Sequence, residues 1–324
     1  MNNDRLNPLN DYLFMKYMGE KGDEDQLLAF LNVVLQKTGK NGIASVEIIE
    51  SRMLSAAIIG DKASILDIRA VMENGTKVNI EVQLRNVGNM DKRSLFYWCR
   101  EYVQGIEAGQ DYRELPGVIA INIIDFEFME INEVHTSFHL WEDLHKDCLL
   151  TNDLEIHFIN MVNFRRLREK DIEHNSFHRW LAFFDKNTNQ QTLKKIIKMD
   201  AAIEKAQKKI AHVSQDKEAL RVYRMREMAL SDFTSGVNAA RREGEQRGIA
   251  IGEQRGEQRG IAIGEQRGIT IGEQRGITIG EQKKTAMFVA KLNRKGLSVE
   301  EISDLTDLPV EEVVKILKEQ EQHK

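Results

Sequence analysis

Ile65-Leu66-Asp67-Ile68-Arg69-Ala70-Val71-Met72-Glu73-Asn74-Gly75-Thr76-Lys77-Val78-Asn79-Ile80-Glu81-Val82-Gln83-Leu84 is the stretch that decides the fold. Two strand-like runs, Ala63 to Met72 and Lys77 to Leu84, flank Glu73-Asn74-Gly75, a turn signal whose glycine takes a positive φ without strain. A three-residue loop built from a type I turn and a left-handed glycine sets Met72 against Thr76. Counting five residues back from Met72 and five forward from Thr76 brings Asp67 opposite Glu81. Gln83, two residues further on, shares their face. Two carboxylates side by side among Ile65, Leu66, Ile68, Val78, Ile80, Val82 and Leu84 are costly unless a cation neutralises them. Oxygen donors without histidine favour a hard ion, Mg²⁺ or Mn²⁺. The competing reading is an exposed polar strand edge, since Asp and Glu usually face water.

Around this hairpin, composition sets the bounds. With 324 residues, 41% hydrophobic and 30% charged, the chain has room for one or two real cores and an ordinary soluble composition. No apolar run approaches the ~18 residues that span a bilayer. Met1-Asn2-Asn3-Asp4-Arg5 lacks the pattern of a signal peptide, so a cytoplasmic location without membrane contact is expected. Cys99 and Cys148 make neither a disulfide framework nor a CxxC zinc site and are expected as small buried side chains. A net charge of −5 does not attract nucleic acid by itself, so any DNA contact must come from local patches. Lys194 to Glu227, with ten Lys or Arg against five acids, reads first as a solvated helical face.

Four segments follow from the patterning: 1–165 mixing helix and strand, 166–243 helical and charged, 244–282 repetitive, and 283–324 a small helical tail. In the first, Leu27 to Leu35 is an apolar helix led by Glu24-Asp25, and a strand follows near Ser45 to Ser51. Asp91 to Ala108 is expected as a helix that buries Leu95, Trp98, Tyr102, Val103 and Ile106 and is capped by Gly109. Gly117 to Ile124, after Pro116, is a continuous apolar run typical of a strand buried on both faces. A helix leading into such a strand suggests a crossover within one sheet. Shorter strands are expected at Thr136 to Trp141 and Leu154 to Asn160.

These residues resemble the PD-(D/E)XK nucleases, and within them the Rpn-type recombination-promoting nucleases, also described as PD-(D/E)XK family transposases. The resemblance spans nearly the whole chain. It is carried by Asn10-Asp11-Tyr12-Leu13-Phe14-Met15-Lys16, Ile65 to Ala70, Asn79-Ile80-Glu81-Val82-Gln83, Tyr102-Val103-Gln104-Gly105-Ile106 with Gly109 and Tyr112, Leu154 to Ile159, and the Gly-rich repeat. It implies an α/β restriction-endonuclease-like αβββαβ core, followed by a helical region and a long Gly-repeat helix. It also implies a metal-dependent DNA endonuclease in which Asp67 and Glu81 hold Mg²⁺, with Mn²⁺ as a substitute, for phosphodiester hydrolysis. In the parent pattern the position two after the Glu is a Lys. Here it is Gln83, as is usual in the Rpn branch; an amide orients water but does not deprotonate it. Lys16, Lys62 or Arg69 would then supply the cation, with Lys16 preferred, and Asp11 would be an accessory acid. Leu66 stands where the pattern has Pro.

Other features are weighed against blander readings. His135, His139 and His145 suggest zinc, but His135 and His139 on one strand would stand ~13 Å apart. Tyr97, Trp98 and Tyr102 read as core, and Arg93 and Arg100 as phosphate contacts. The repeat Gly-Glu-Gln-Arg-Gly-Ile-(Ala/Thr)-Ile, from Gly244 to Gln282, admits a long helix, short strands or disorder. Interior glycines cost about 1 kcal/mol each in a helix. Their four-residue spacing nevertheless draws a smooth stripe suited to close helix contact, and a self-associating helix that makes a homo-oligomer is the expectation. In the tail, Gly296 stops a helix, Ser298 to Glu301 is a capping box, and Val310 to Lys318 follows Pro309. Its balanced charge favours protein contact at least as much as DNA contact. The alternative to the enzyme is an inactive DNA-binding or regulatory protein that keeps the fold.

Overall fold

The computed structural model describes residues 5–36, 42–51 and 67–321. The expected strand residues 63–66, and Lys62, lie outside them. Six strands, β1 (Val46–Ser51), β2 (Asp67–Met72), β3 (Lys77–Gln83), β4 (Val118–Ile124), β5 (His135–Phe138) and β6 (Leu154–Asn160), make one sheet in the order β1-β2-β3-β4-β6-β5. The helices of the first part are α1 (Asp11–Met18), α2 (Asp25–Leu35), α3 (Met90–Val103), α4 (Met161–Arg166), α5 (Ser176–Phe184), α6 (Gln190–Met199) and α7 (Ala201–Gln215). Helix α8 (Lys217–Arg294) starts in a first compact unit, residues 1–237, and ends in a second, residues 238–324, with α9 (Val299–Thr306) and α10 (Val310–Glu321).

The hairpin closes as its sequence dictates. The Met72 amide donates to the Thr76 carbonyl at 2.9 Å, the Gly75 amide to the Met72 carbonyl at 2.9 Å, and Gly75 takes φ +83°. The register therefore pairs Asp67 with Glu81, Arg69 with Asn79 and Val71 with Lys77. β1 adds antiparallel to β2, and α3 carries the chain from β3 to β4, which run parallel. β4 pairs parallel with β6, and β5 closes the edge antiparallel. Every residue of β4 and β6 is buried, as expected of strands covered on both faces.

Alternation sorts the side chains into two layers. On one face Ile68, Ala70, Ile80, Val82, Ile119 and Ile121 join a core with α1, α2 and α5, where Phe14, Phe30, Trp180 and Phe184 meet edge to face or tilted. On the other, Val118, Ala120, Ile156 and Phe158 pack with Met90 and Trp98 of α3.

Three sequence expectations are corrected. α3 ends at Val103 rather than Ala108, because Gly105 abuts Pro116, whose ring would lie 2.7 Å from an added Cβ; Gly109 sits beyond it with φ +95°. Its buried stripe is Met90, Ser94, Trp98 and Glu101, while Leu95 and Val103 are exposed. The helix is rotated so that Ser94 and Glu101 meet polar partners on the sheet. Cys99 and Cys148 are exposed free thiols, Cys99 on the outer side of α3.

The basic stretch from Lys194 is largely tied into ion pairs: Lys205 with Asp23 and Asp25, Lys209 with Glu20 and Asp23, and Arg226 with Asp11. In the second unit, Val289, Ile302 and Val313 form a small core, and the Ser298/Glu301 capping box is complete. Among the described residues, no helix is long and apolar enough to cross a membrane.

Candidate nuclease site

Glu81 stands on β3 between Ile80 and Val82, which face the opposite layer. Its carboxylate is therefore turned under α3, where it is 2% exposed. A charge so buried needs a partner. Arg93, in the first turn of α3, provides one: Nη2 donates to Glu81 Oε1 at 2.6 Å and Nε to the same oxygen at 3.0 Å. Asn122, paired with Glu81 on β4, accepts from Ser94 Oγ at 3.2 Å and donates to the His157 carbonyl at 3.1 Å. Trp98 Nε1 donates to the Val118 carbonyl at 2.8 Å. These bonds fix α3 over the sheet at the level of Glu81.

The neighbouring pair along the hairpin is also polar. Arg69 binds Glu101 of α3 and donates to Gln104 Oε1 at 3.2 Å. Asn79 is buried, and its Oδ1 has no hydrogen-bond partner among the described residues. Gln83 continues the row toward the strand end, where its amide donates to the Arg85 carbonyl at 3.3 Å.

The residues expected to carry chemistry fall into two groups. The register sets the backbone of Asp67 opposite Glu81, with Gln83 two residues further along β3. Arg69 is on the same side, held by Glu101. Asp11 is paired with Arg226 and lies within electrostatic reach of Arg85, two residues beyond Gln83, and Asn10 beside it bonds Glu227 at 2.8 Å. Lys16 lies 5.8 Å from the Tyr12 ring and near Asp216, on a helix whose core residues belong to the opposite layer. Tyr97 is bracketed by guanidinium groups, Arg93 at 5.1 Å and Arg100 at 4.7 Å from its centroid.

Sequence reasoning missed a second polar group on the other face of the sheet. His157 Nδ1 lies 2.7 Å from His135 Nε2, and His157 Nε2 lies 2.7 Å from Glu155 Oε1. His139 reaches Glu155 at 3.9 Å, whereas His145 sits apart, 2.7 Å from Glu142. The signal was the alternation Glu155, His157 within an apolar strand. Among the described residues, no three His, Cys, Asp or Glu side chains are arranged to hold a metal.

The donors at the hairpin suit a hard divalent ion, which takes one or two carboxylates and leaves its other positions to water and phosphate. Glu81 supplies a buried carboxylate oxygen and Asn79 a buried amide oxygen nearby in the ladder, and the backbone of Asp67 pairs with that of Glu81. Nitrogen and sulfur donors are absent from this set.

A sheet of this order, with a buried acid on the second hairpin strand and a crossover helix above it, is consistent with a PD-(D/E)XK fold. The sequence model for PD-(D/E)XK nuclease family transposases matches residues 8–240, more than two thirds of the chain, and the chain belongs to that family. No curated protein and no solved structure gives a match.

Proposed function

We propose that the protein is a Mg²⁺-dependent DNA endonuclease hydrolysing phosphodiester bonds, with Asp67 and Glu81 as the metal-holding pair. The observation that carries this reading is the register Asp67↔Glu81, with Glu81 buried in β3 beside Asn79, its buried polar neighbour two residues along the strand. The bound ion would lower the pKa of an attacking water and offset charge on the phosphate. Gln83 orients that water through its amide, which accepts and donates hydrogen bonds but takes no proton. The water oxygen would bond to phosphorus as the bond to the leaving deoxyribose oxygen breaks, with the water's proton lost to solvent and the leaving oxygen protonated from solvent. Asp11 and Lys16 are accessory to this reading: their ion-pair and aromatic partners assign them first to holding α1 in place.

Incubating the protein with supercoiled plasmid and Mg²⁺ should give nicked or linear DNA, with Asp67→Ala and Glu81→Ala each slower by at least ~100-fold, the scale of removing a group that stabilises the transition state. Equal nicking by the wild type and both variants would overturn the assignment. Gln83, where the parent pattern has a base, favours one second reading: a non-cutting DNA-binding or regulatory protein. It predicts DNA binding without cleavage under any divalent ion.

The family suggests recombination or mobile-element work on DNA, and a cytoplasmic setting fits it. We further propose that Gly244 to Gln282 is a helix through which copies of the chain associate. Residues four apart advance by ~40° around a helix, so the glycine stripe winds and a partner must wind with it. Deleting Gly244 to Gln282 should lower the molar mass measured by light scattering; an unchanged mass excludes this role.

A further inference from the structure

Arg93 donates twice to one oxygen of the Glu81 carboxylate, which the nuclease reading, on which this inference rests, assigns to a metal ion. We propose that Arg93 is a counter-cation built into the site: it holds Glu81 while no ion is bound, and it is released toward the phosphodiester when Glu81 takes the ion. It thereby brings from α3 the positive charge that the family pattern carries at position 83, where this chain has Gln83.

Four observations support the exchange. Two guanidinium nitrogens converge on one carboxylate oxygen, at 2.6 and 3.0 Å, so a second cation on that oxygen would face like charge at contact distance. The Arg93 side chain is 19% exposed against 2% for Glu81, so part of it reaches solvent while the carboxylate it holds does not. The Tyr97 ring, 5.1 Å away, gives the guanidinium a second resting surface within its own helix. Gln83 directs its amide to the Arg85 carbonyl, at the end of its own strand.

The backbone under Arg93 is anchored, because Ser94 is bonded to Asn122 and to the Met90 carbonyl. The side chain alone has to move. An arginine suits this work, since its planar fork pairs with a carboxylate or a phosphate and stays charged throughout. Arg93 donates no proton and takes none; it holds Glu81 before the ion arrives and the phosphate afterwards. Its release without an acceptor would strip the buried Glu81 carboxylate of the two hydrogen bonds that Arg93 gives it. Ion binding and phosphate binding therefore favour each other through this one side chain.

The test is Mn²⁺ titration of the full chain by calorimetry, beside plasmid cleavage. Arg93→Ala should bind Mn²⁺ about tenfold more tightly than the wild type, the scale of a typical coupling between sites. The same variant should cleave at least ~100-fold more slowly, as expected when charge stabilisation at the phosphate is lost. Adding Gln83→Lys to Arg93→Ala should weaken Mn²⁺ binding again and restore cleavage, which a merely structural role for Arg93 would not produce. Arg93→Lys, which keeps the charge, covers the case in which Arg93→Ala does not fold, and should fall between the two in both measurements. Equal Mn²⁺ affinity in wild type and the Arg93 variants, with cleavage still dependent on Asp67 and Glu81, would overturn this inference and leave the nuclease reading standing. Absence of Mn²⁺ binding in every form would overturn both.

Discussion

Glu81 and Asp67 were legible because a local turn sets their register: once Gly75 takes its left-handed position, simple counting carries Met72↔Thr76 to Asp67↔Glu81. Glu155 and His157 were not legible as network residues, and Arg93, read as a phosphate contact, was not legible as the partner of Glu81. Their partners are fixed by how α3 crosses the sheet and by the pairing of β5 with β6, neither of which a local pattern encodes. His157 is fully buried, with both ring nitrogens engaged. His157→Ala should therefore cost about 3–5 kcal/mol of unfolding free energy, since it opens a cavity and strips the buried Glu155 of a hydrogen-bonded partner. Urea denaturation measures this, and a loss below ~1 kcal/mol would mean that the network is not under strain to stay paired.

Strands and helices were easier to foresee in existence than in orientation. β4 and the hairpin follow from runs of apolar residues and a turn. The length and rotation of α3 do not, because its inward stripe includes Ser94 and Glu101, which a search for apolar periodicity passes over. The end of α3 depends on a close approach of distant residues: an added Cβ on Gly105 would lie 2.7 Å from the Pro116 ring and 2.9 Å from the Tyr102 carbonyl oxygen. Gly105→Ala should destabilise by about 1–3 kcal/mol through overpacking. Gly75→Ala, where the added Cβ meets open space but φ is +83°, should cost about 1 kcal/mol from backbone strain. Thermal denaturation of the two variants distinguishes them, and an unperturbed Gly105→Ala would show that the contact relaxes freely.

At the scale of the whole first unit, charge ties the helical layer together. Asp23 sits among Lys205 and Lys209 of α7; burial alone would raise its carboxyl, and hydrogen bonds from these lysines outweigh it and hold the group below its ordinary value. A depressed carboxyl stabilises the fold above its unfolded value, and that stability disappears as pH falls through the folded one. Asp23→Asn should then cost up to about 1 kcal/mol near neutrality, the scale of a partly exposed pair, and progressively less below pH ~4. A cost independent of pH in denaturant titrations would contradict the assignment. The sheet carries a subtler safeguard. Had β2 and β3 paired one residue out of step, Glu81 would be driven into the apolar layer of Ile68, Ile119 and Ile121, away from Arg93, while isoleucines turned outward beneath α3. The acid on which cutting is proposed to depend thus also makes the wrong hairpin intolerable, so a chain that manages to fold has already proofread its own active centre.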